Sequence, residues 1–147
     1  MQNTGHLFND AVAAQAFITA GRARFTIVSE KTGNRFTYKV RRSKDGNVNF
    51  VSVFSDEAAE HGYTYAGMIN KNLELLQTKN SKIPVTAVSW IAFEFVWRWV
   101  SQGNAIPIGL QIWHEGRCGR CGRHLTDPVS IQSGIGPECA KLMGMVH

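Results

Sequence analysis

Arg22-Ala23-Arg24-Phe25-Thr26-Ile27-Val28-Ser29 and Arg35-Phe36-Thr37-Tyr38-Lys39-Val40-Arg41 are the stretches whose reading decides the fold. In the second, Phe36, Tyr38 and Val40 alternate with Arg35, Thr37, Lys39 and Arg41. A strand therefore puts the apolar side chains on one face and the basic ones on the other. In the first, Phe25 and Ile27 alternate with Arg24, Thr26 and Val28. Thr32-Gly33-Asn34 between them is a turn signal, so the two runs read as a hairpin. Asp45-Gly46 marks a further turn. Residues 48–54, 63–69 and 73–78 read as three more strands, and the short links predict an antiparallel meander.

The period changes after Pro84. Val88, Trp90, Ile91, Phe93, Phe95, Val96, Trp97, Trp99 and Val100 nearly encircle a helix that runs to about Gln102, with Thr86 or Ser89 as its N-cap. Glu94, Arg98 and Ser101 form its polar stripe, with Glu94 and Arg98 spaced for an i,i+4 pair. A helix this apolar is expected to be mostly buried, its tryptophans packing the core rather than stacking on bases. Gly103-Asn104 ends it, and residues 106–113 read as extended. Upstream, residues 7–20 are alanine-rich and read as a short helix stopped by Gly21. The expected class is α+β, an antiparallel sheet packed on one hydrophobic helix and followed by a treble-clef-like zinc finger. The expected division is a helical segment at 1–20, a core domain at 21–113 and the finger at 114–147, where glycine and cysteine become dense.

The chain has 147 residues and is 44% hydrophobic, which suits one domain with a real core and excludes wholesale disorder. Its net charge is +5. Residues 21–44 hold eight basic side chains against Glu30 alone, a local balance of +7, so the rest of the chain carries −2. Arg35, Lys39 and Arg41 share a strand face, and pairing with the first strand adds Arg22 and Arg24. Such a face could track a phosphate backbone. It could equally be a solvated outer surface that guards the sheet against aggregation. Tyr63 and Tyr65 share a face and could stack on bases, but a core or edge position is preferred.

Residues 85–100 are too few for a membrane span and include Glu94 and Arg98. Met1-Gln2-Asn3-Thr4-Gly5 has no basic or apolar signal region, so no secretory signal is expected. Asp56, Glu57 and Glu60 near His61 read as a solvated acidic loop rather than a magnesium or catalytic site. No phosphate-binding loop, dinucleotide fingerprint or nucleophile elbow is present, and a non-catalytic role is expected.

His114-Glu115-Gly116-Arg117-Cys118-Gly119-Arg120-Cys121-Gly122-Arg123-His124 carries the chemistry. Cys118 and Cys121 have the C-x2-C spacing that aims two thiolates at one ion. Cys139 follows after 17 residues, behind Pro137, a good first helical residue. A helix over 137–145 would place Cys139 in its first turn, where the helix end favours a thiolate. One structural zinc ion is expected, and it wants four ligands. His114 is the first choice to complete the three cysteines and His124 the second; His147 is terminal. The competing readings are a redox-active C-x2-C pair with a separate buried Cys139, and an open catalytic zinc with Glu115 or Glu138 as base. Arg117, Arg120 and Arg123 add positive charge to the knuckle, offset by Glu115, Asp127 and Glu138.

The stretch Cys118-Gly-Arg-Cys121-Gly-Arg123, then Leu125-Thr126-Asp127-Pro128, Ser130-Ile131 and Gly134-Ile-Gly136-Pro137-Glu-Cys139, resembles a family of small bacteriophage and prophage zinc-finger proteins of unknown function. Ala20-Gly21-Arg22-Ala23-Arg24-Phe25-Thr26 and Arg35-Phe36-Thr37-Tyr38 look like the N-terminal half of its longer members. The resemblance implies a zinc-binding accessory protein acting in the cytoplasm of the bacterial host, with His114 matching a histidine just before the knuckle. The function expected is binding of DNA or RNA through the sheet face and the finger, with Arg22, Arg24, Arg35, Lys39, Arg41, Arg42 and Arg120 as contacts. The alternative is a module that binds and modulates a host protein complex such as a polymerase, nuclease or defence system.

Overall fold

The alternation in the two opening stretches becomes two paired strands at the centre of a larger sheet. The computed structural model describes residues 5–55 and 62–145. The acidic loop at 56–61 and His147 lie outside the described residues. In chain order the elements are β1 (His6–Leu7), α1 (Ala11–Ile18), β2 (Arg22–Ser29), β3 (Arg35–Arg42), β4 (Asn49–Phe54), β5 (Tyr63–Ile69), β6 (Leu75–Leu76), α2 (Val88–Val100), β7 (Leu110–His114), α3 (Pro128–Ser133) and α4 (Pro137–Leu142). The seven strands form one sheet in the order β1-β7-β2-β3-β4-β5-β6, with every pair antiparallel.

The meander from β2 to β6 keeps sequence order, as short turns dictate. The chain then crosses along α2 and returns as β7 on the far side of β2, where Phe25 faces His114. In the central pair Arg24 faces Lys39 and Phe25 faces Tyr38. One face of the sheet buries Phe25, Tyr38, Val40, Val51, Val53 and Ile112. Each such side chain contributes about 1.5–3 kcal/mol when taken fully out of water. Phe93 of α2 packs on this face, with its ring 5.8 Å from that of Phe25 and 5.1 Å from that of Tyr38. Tyr38 also donates its hydroxyl to the Ser89 carbonyl at 2.7 Å.

Two expectations about the helices change. The sheet expected to pack on one helix carries α1 as well: Phe17 sits edge-on to Phe25 at 6.5 Å. Gln15 donates its side-chain amide to the Ser101 carbonyl beyond the end of α2. Residues 1–20 are therefore not a separate packing unit where they are described. One core continues from Phe8 and α1 through the sheet to Cys118, Ile135 and Ala140. The helix read over 7–20 is also shorter, because Phe8 donates its N–H to Ile112 of β7 and Asp10 caps Val12.

The second change concerns α2. It starts at an Ala87 N-cap that makes no side-chain bond, so neither Thr86 nor Ser89 caps it. Only Trp90, Phe93, Val96, Trp97 and Val100 are buried. Val88, Ile91, Phe95 and Trp99 form an apolar stripe facing solvent. Glu94 and Arg98 do not pair; an ion pair joins Arg24 and Glu115 instead. No helix among the described residues is long and apolar enough to cross a membrane.

Candidate functional site

The C-terminal segment folds around its cysteines. Gly122 donates its N–H to Cys118 and Cys118 donates to Arg123, both at 2.8 Å, closing the knuckle. Arg117 bridges His124 across it. Asp127 caps Ser130 at the start of α3, and Gly134 ends that helix in the left-handed region. Gly134 is needed there twice over: its φ is +76°, and a Cβ would meet Phe17 of α1 at 2.5 Å. Pro137 opens α4 and brings Cys139 into its first turn. The result is a group of three sulfurs, Cys118, Cys121 and Cys139, all within 4.8 Å of one another.

The surroundings suit anionic sulfur. The Cys118 Sγ accepts the N–H groups of Arg120 at 3.4 Å and Gly136 at 3.3 Å. Burial alone would raise the Cys118 thiol, but backbone N–H donors from Gly136, Cys121 and Arg120 together hold it below its ordinary value. Burial raises Cys139, opposed by the Arg120 guanidinium, which reaches its sulfur at 3.5 Å. Tetrahedral zinc with sulfur bonds of ~2.3 Å needs sulfurs about 3.8 Å apart. Three sulfurs already this close, ringed by N–H donors, fit such an ion.

His114, expected as the fourth ligand, stands elsewhere. Its ring is 1% exposed and packs against Phe8 at 5.0 Å and Phe17 at 5.4 Å. Gly116 donates its N–H to Nδ1 at 3.0 Å, and Nε2 lies 2.7 Å from the Ile131 carbonyl. Both ring nitrogens are thus taken, which fixes the Nε2–H tautomer and leaves no lone pair for a metal. Burial pushes the His114 pKa down, against the raising effect of the Ile131 bond and with a small lowering by His6. His124 instead lines the same cleft as the three cysteines, together with Asp127 and Glu138.

The basic residues gather at a second cleft of about 650 Å³, built jointly by the sheet and the knuckle. Arg22, Arg24, Lys39 and Arg41, which share a strand face, line it, and so does Arg42, of opposite parity at the end of β3. Lys44 and Arg117 join them, a convergence of seven cations that strand periodicity alone did not assemble. Two expected contacts are not among the lining residues: Arg35 lies at the start of β3, and Arg120 is turned to Cys139. Arg22 ties the two parts together. Its N–H donates to Gly119 at 2.6 Å and its guanidinium to the Cys121 carbonyl at 3.4 Å. Crowding is visible at Lys39, whose pKa is lowered by burial first and then by Arg24 and Arg41. Among the described residues, Glu115 is the one carboxylate that lines the cleft, 3.6 Å from Arg24.

On the same face of the sheet as this cleft, Phe50 and Phe54 project from β4 beside Tyr63 and Tyr65 of β5. The phenylalanines were not singled out by sequence. The signal was present, since residues 50–54 are apolar at both parities apart from Ser52, which a one-sided strand does not require.

A family of unknown function (DUF6011) matches residues 113–144, the segment that carries the three cysteines. No curated protein and no solved structure matches the chain.

Proposed function

We propose that this chain is a non-catalytic accessory protein of bacteriophage type that binds nucleic acid in the cytoplasm of the bacterial host. Its basic sheet face and a zinc-held finger would make the contact. The observation that carries the reading is the seven-cation cleft between sheet and knuckle. Seven convergent cations against one carboxylate among the described residues form an electrostatic footprint suited to consecutive phosphates. The phage setting comes from the motif resemblance over residues 118–139.

In this reading Cys118, Cys121, Cys139 and His124 hold one zinc ion, and the knuckle with α4 forms a treble-clef-like unit. The ion's contribution is structural: it links the knuckle to α4 in a segment whose two helices have six residues each. Filter binding against a salt series tests the nucleic-acid reading. Tight binding at low salt, lost when Lys39, Arg41 and Arg117 are changed together to glutamine, is expected. Absence of binding at low salt overturns it.

A second reading, a module that docks on a host protein complex, is favoured by the solvent-facing stripe Val88, Ile91, Phe95 and Trp99 on α2. Capture from bacterial lysate with and without nuclease separates the two. A partner lost on nuclease treatment supports the first reading, and one retained supports the second.

A further inference from the structure

The open face of the sheet carries more than charge. Cross-strand pairing sets Arg41 beside Phe50 and Lys39 beside Ser52, so the phenylalanines of β4 share a face with the cations of β3. Phe50 is 41% exposed and Phe54 47% exposed. Phe54 meets Tyr63 edge-on at 5.5 Å, and Phe50 meets Tyr65 edge-on at 6.1 Å. In edge-on pairing the two rings do not cover each other face to face, and at this exposure part of each phenylalanine ring stays open to a ligand. The Lys39 ammonium lies 4.6 Å from the centre of the Tyr63 ring, so charge and aromatic surface are contiguous.

We propose that the ligand is single-stranded nucleic acid, its phosphates running along the cleft on the β2–β3 side and its bases stacking on Phe50 and Phe54 on the β4–β5 side. The proposal rests on the nucleic-acid reading above and names the form of nucleic acid. A duplex hides its base faces inside the stack, so it can use the cations but not the rings. Nor can this face enter a groove: four strands at about 4.8 Å spacing span about 14 Å before side chains are added, against a major groove about 12 Å wide. A single strand has no such limit. Every base offers a flat face, and stacking on exposed aromatics beside a basic track is the common physics of single-strand binding. Phe50 and Phe54 lie four residues apart on one strand, about 13 Å, room for separate bases on separate rings.

Fluorescence anisotropy with labelled oligothymidylate, alone and annealed to oligoadenylate, tests the proposal on the full-length chain. The single strand is expected to bind at least about tenfold more tightly than the duplex. Phe50→Ala and Phe54→Ala are each expected to weaken single-strand binding by about fivefold or more without changing the melting temperature. Phe50→Tyr and Phe54→Tyr, which keep a ring, are expected to retain it. Equal or tighter duplex binding, or alanine variants that bind the single strand unchanged, overturns the stacking proposal while leaving the nucleic-acid reading intact. Failure of both probes to bind at low salt overturns both.

Discussion

His114 shows what a single side chain settles. Spacing placed it next to the knuckle, and spacing could not show that Gly116 and Ile131 would take both ring nitrogens. It pins β7 to α3 from inside the core. Replacing it with alanine is expected to cost about 2–4 kcal/mol in urea unfolding, from lost packing and two orphaned backbone partners. Zinc content, measured by elemental analysis, should not change. His124→Ala is expected to do the reverse, lowering metal retention with little effect on the core. The buried ring also has a pH signature. Its pKa in the fold lies below the ordinary 6.5, so the unfolded chain takes up a proton first. The stability that neutral His114 supplies is complete above about pH 6.5 and is lost as pH falls from there towards its folded value. His114→Gln, compared with the parent at about pH 7.5 and 5.5, should show a smaller acid loss; the difference between the two proteins removes the thiols they share. Glu115 is the opposing charge in the basic cleft. Its exposed pair with Arg24 is worth at most about 1 kcal/mol, so Glu115→Gln should leave the melting temperature nearly unchanged and tighten nucleic-acid binding a few-fold.

At the scale of elements, the strands were the legible part. Alternating apolar and basic residues between glycine turns admit one pairing, and β2 to β5 follow it. Two kinds of element were not legible. β1 is two residues long, and its pairing with β7 more than a hundred residues away leaves no local trace. The apolar residues around α2 could not say which would be covered, because the narrow polar stripe of Glu94 and Arg98 leaves more apolar surface than one buried face takes up. The knuckle's C-x2-C spacing was legible, and which histidine lies near the cysteines was not, since that depends on which one the tertiary fold turns to their cleft. α3 and α4 have six residues each, shorter than helices that persist alone in water. Removing the metal with a chelator should therefore abolish amide-exchange protection in residues 116–142 first. Protection in β2 to β4, which pair on both sides, should outlast it; simultaneous loss would show that the sheet depends on the ion as well.

The whole molecule divides its surface by chemistry. One sheet face is covered by α1 and α2, the other presents cations and rings, and the outer side of α2 presents an apolar stripe. The net charge of +5 understates this, because seven cations converge on one cleft. If about five phosphates are neutralised there, log affinity for a single strand should fall with log salt at a slope of roughly −3 to −4. A slope near zero in filter binding would show that the cleft does not hold the backbone.

Arg22 joins the two halves of that surface, its backbone held by Gly119 and its guanidinium by the Cys121 carbonyl. β2, which supplies two of the cleft's five arginines, therefore begins on the loop that the cysteines shape. If the cysteines hold an ion and the cleft holds nucleic acid, as proposed, the two are effectors of one another: whatever factor the ion adds to nucleic-acid affinity, bound nucleic acid must add to the affinity for the ion. A competing chelator should strip zinc less readily from the complex than from the free protein, and in a cell poor in zinc the ligand itself would help to keep the finger loaded.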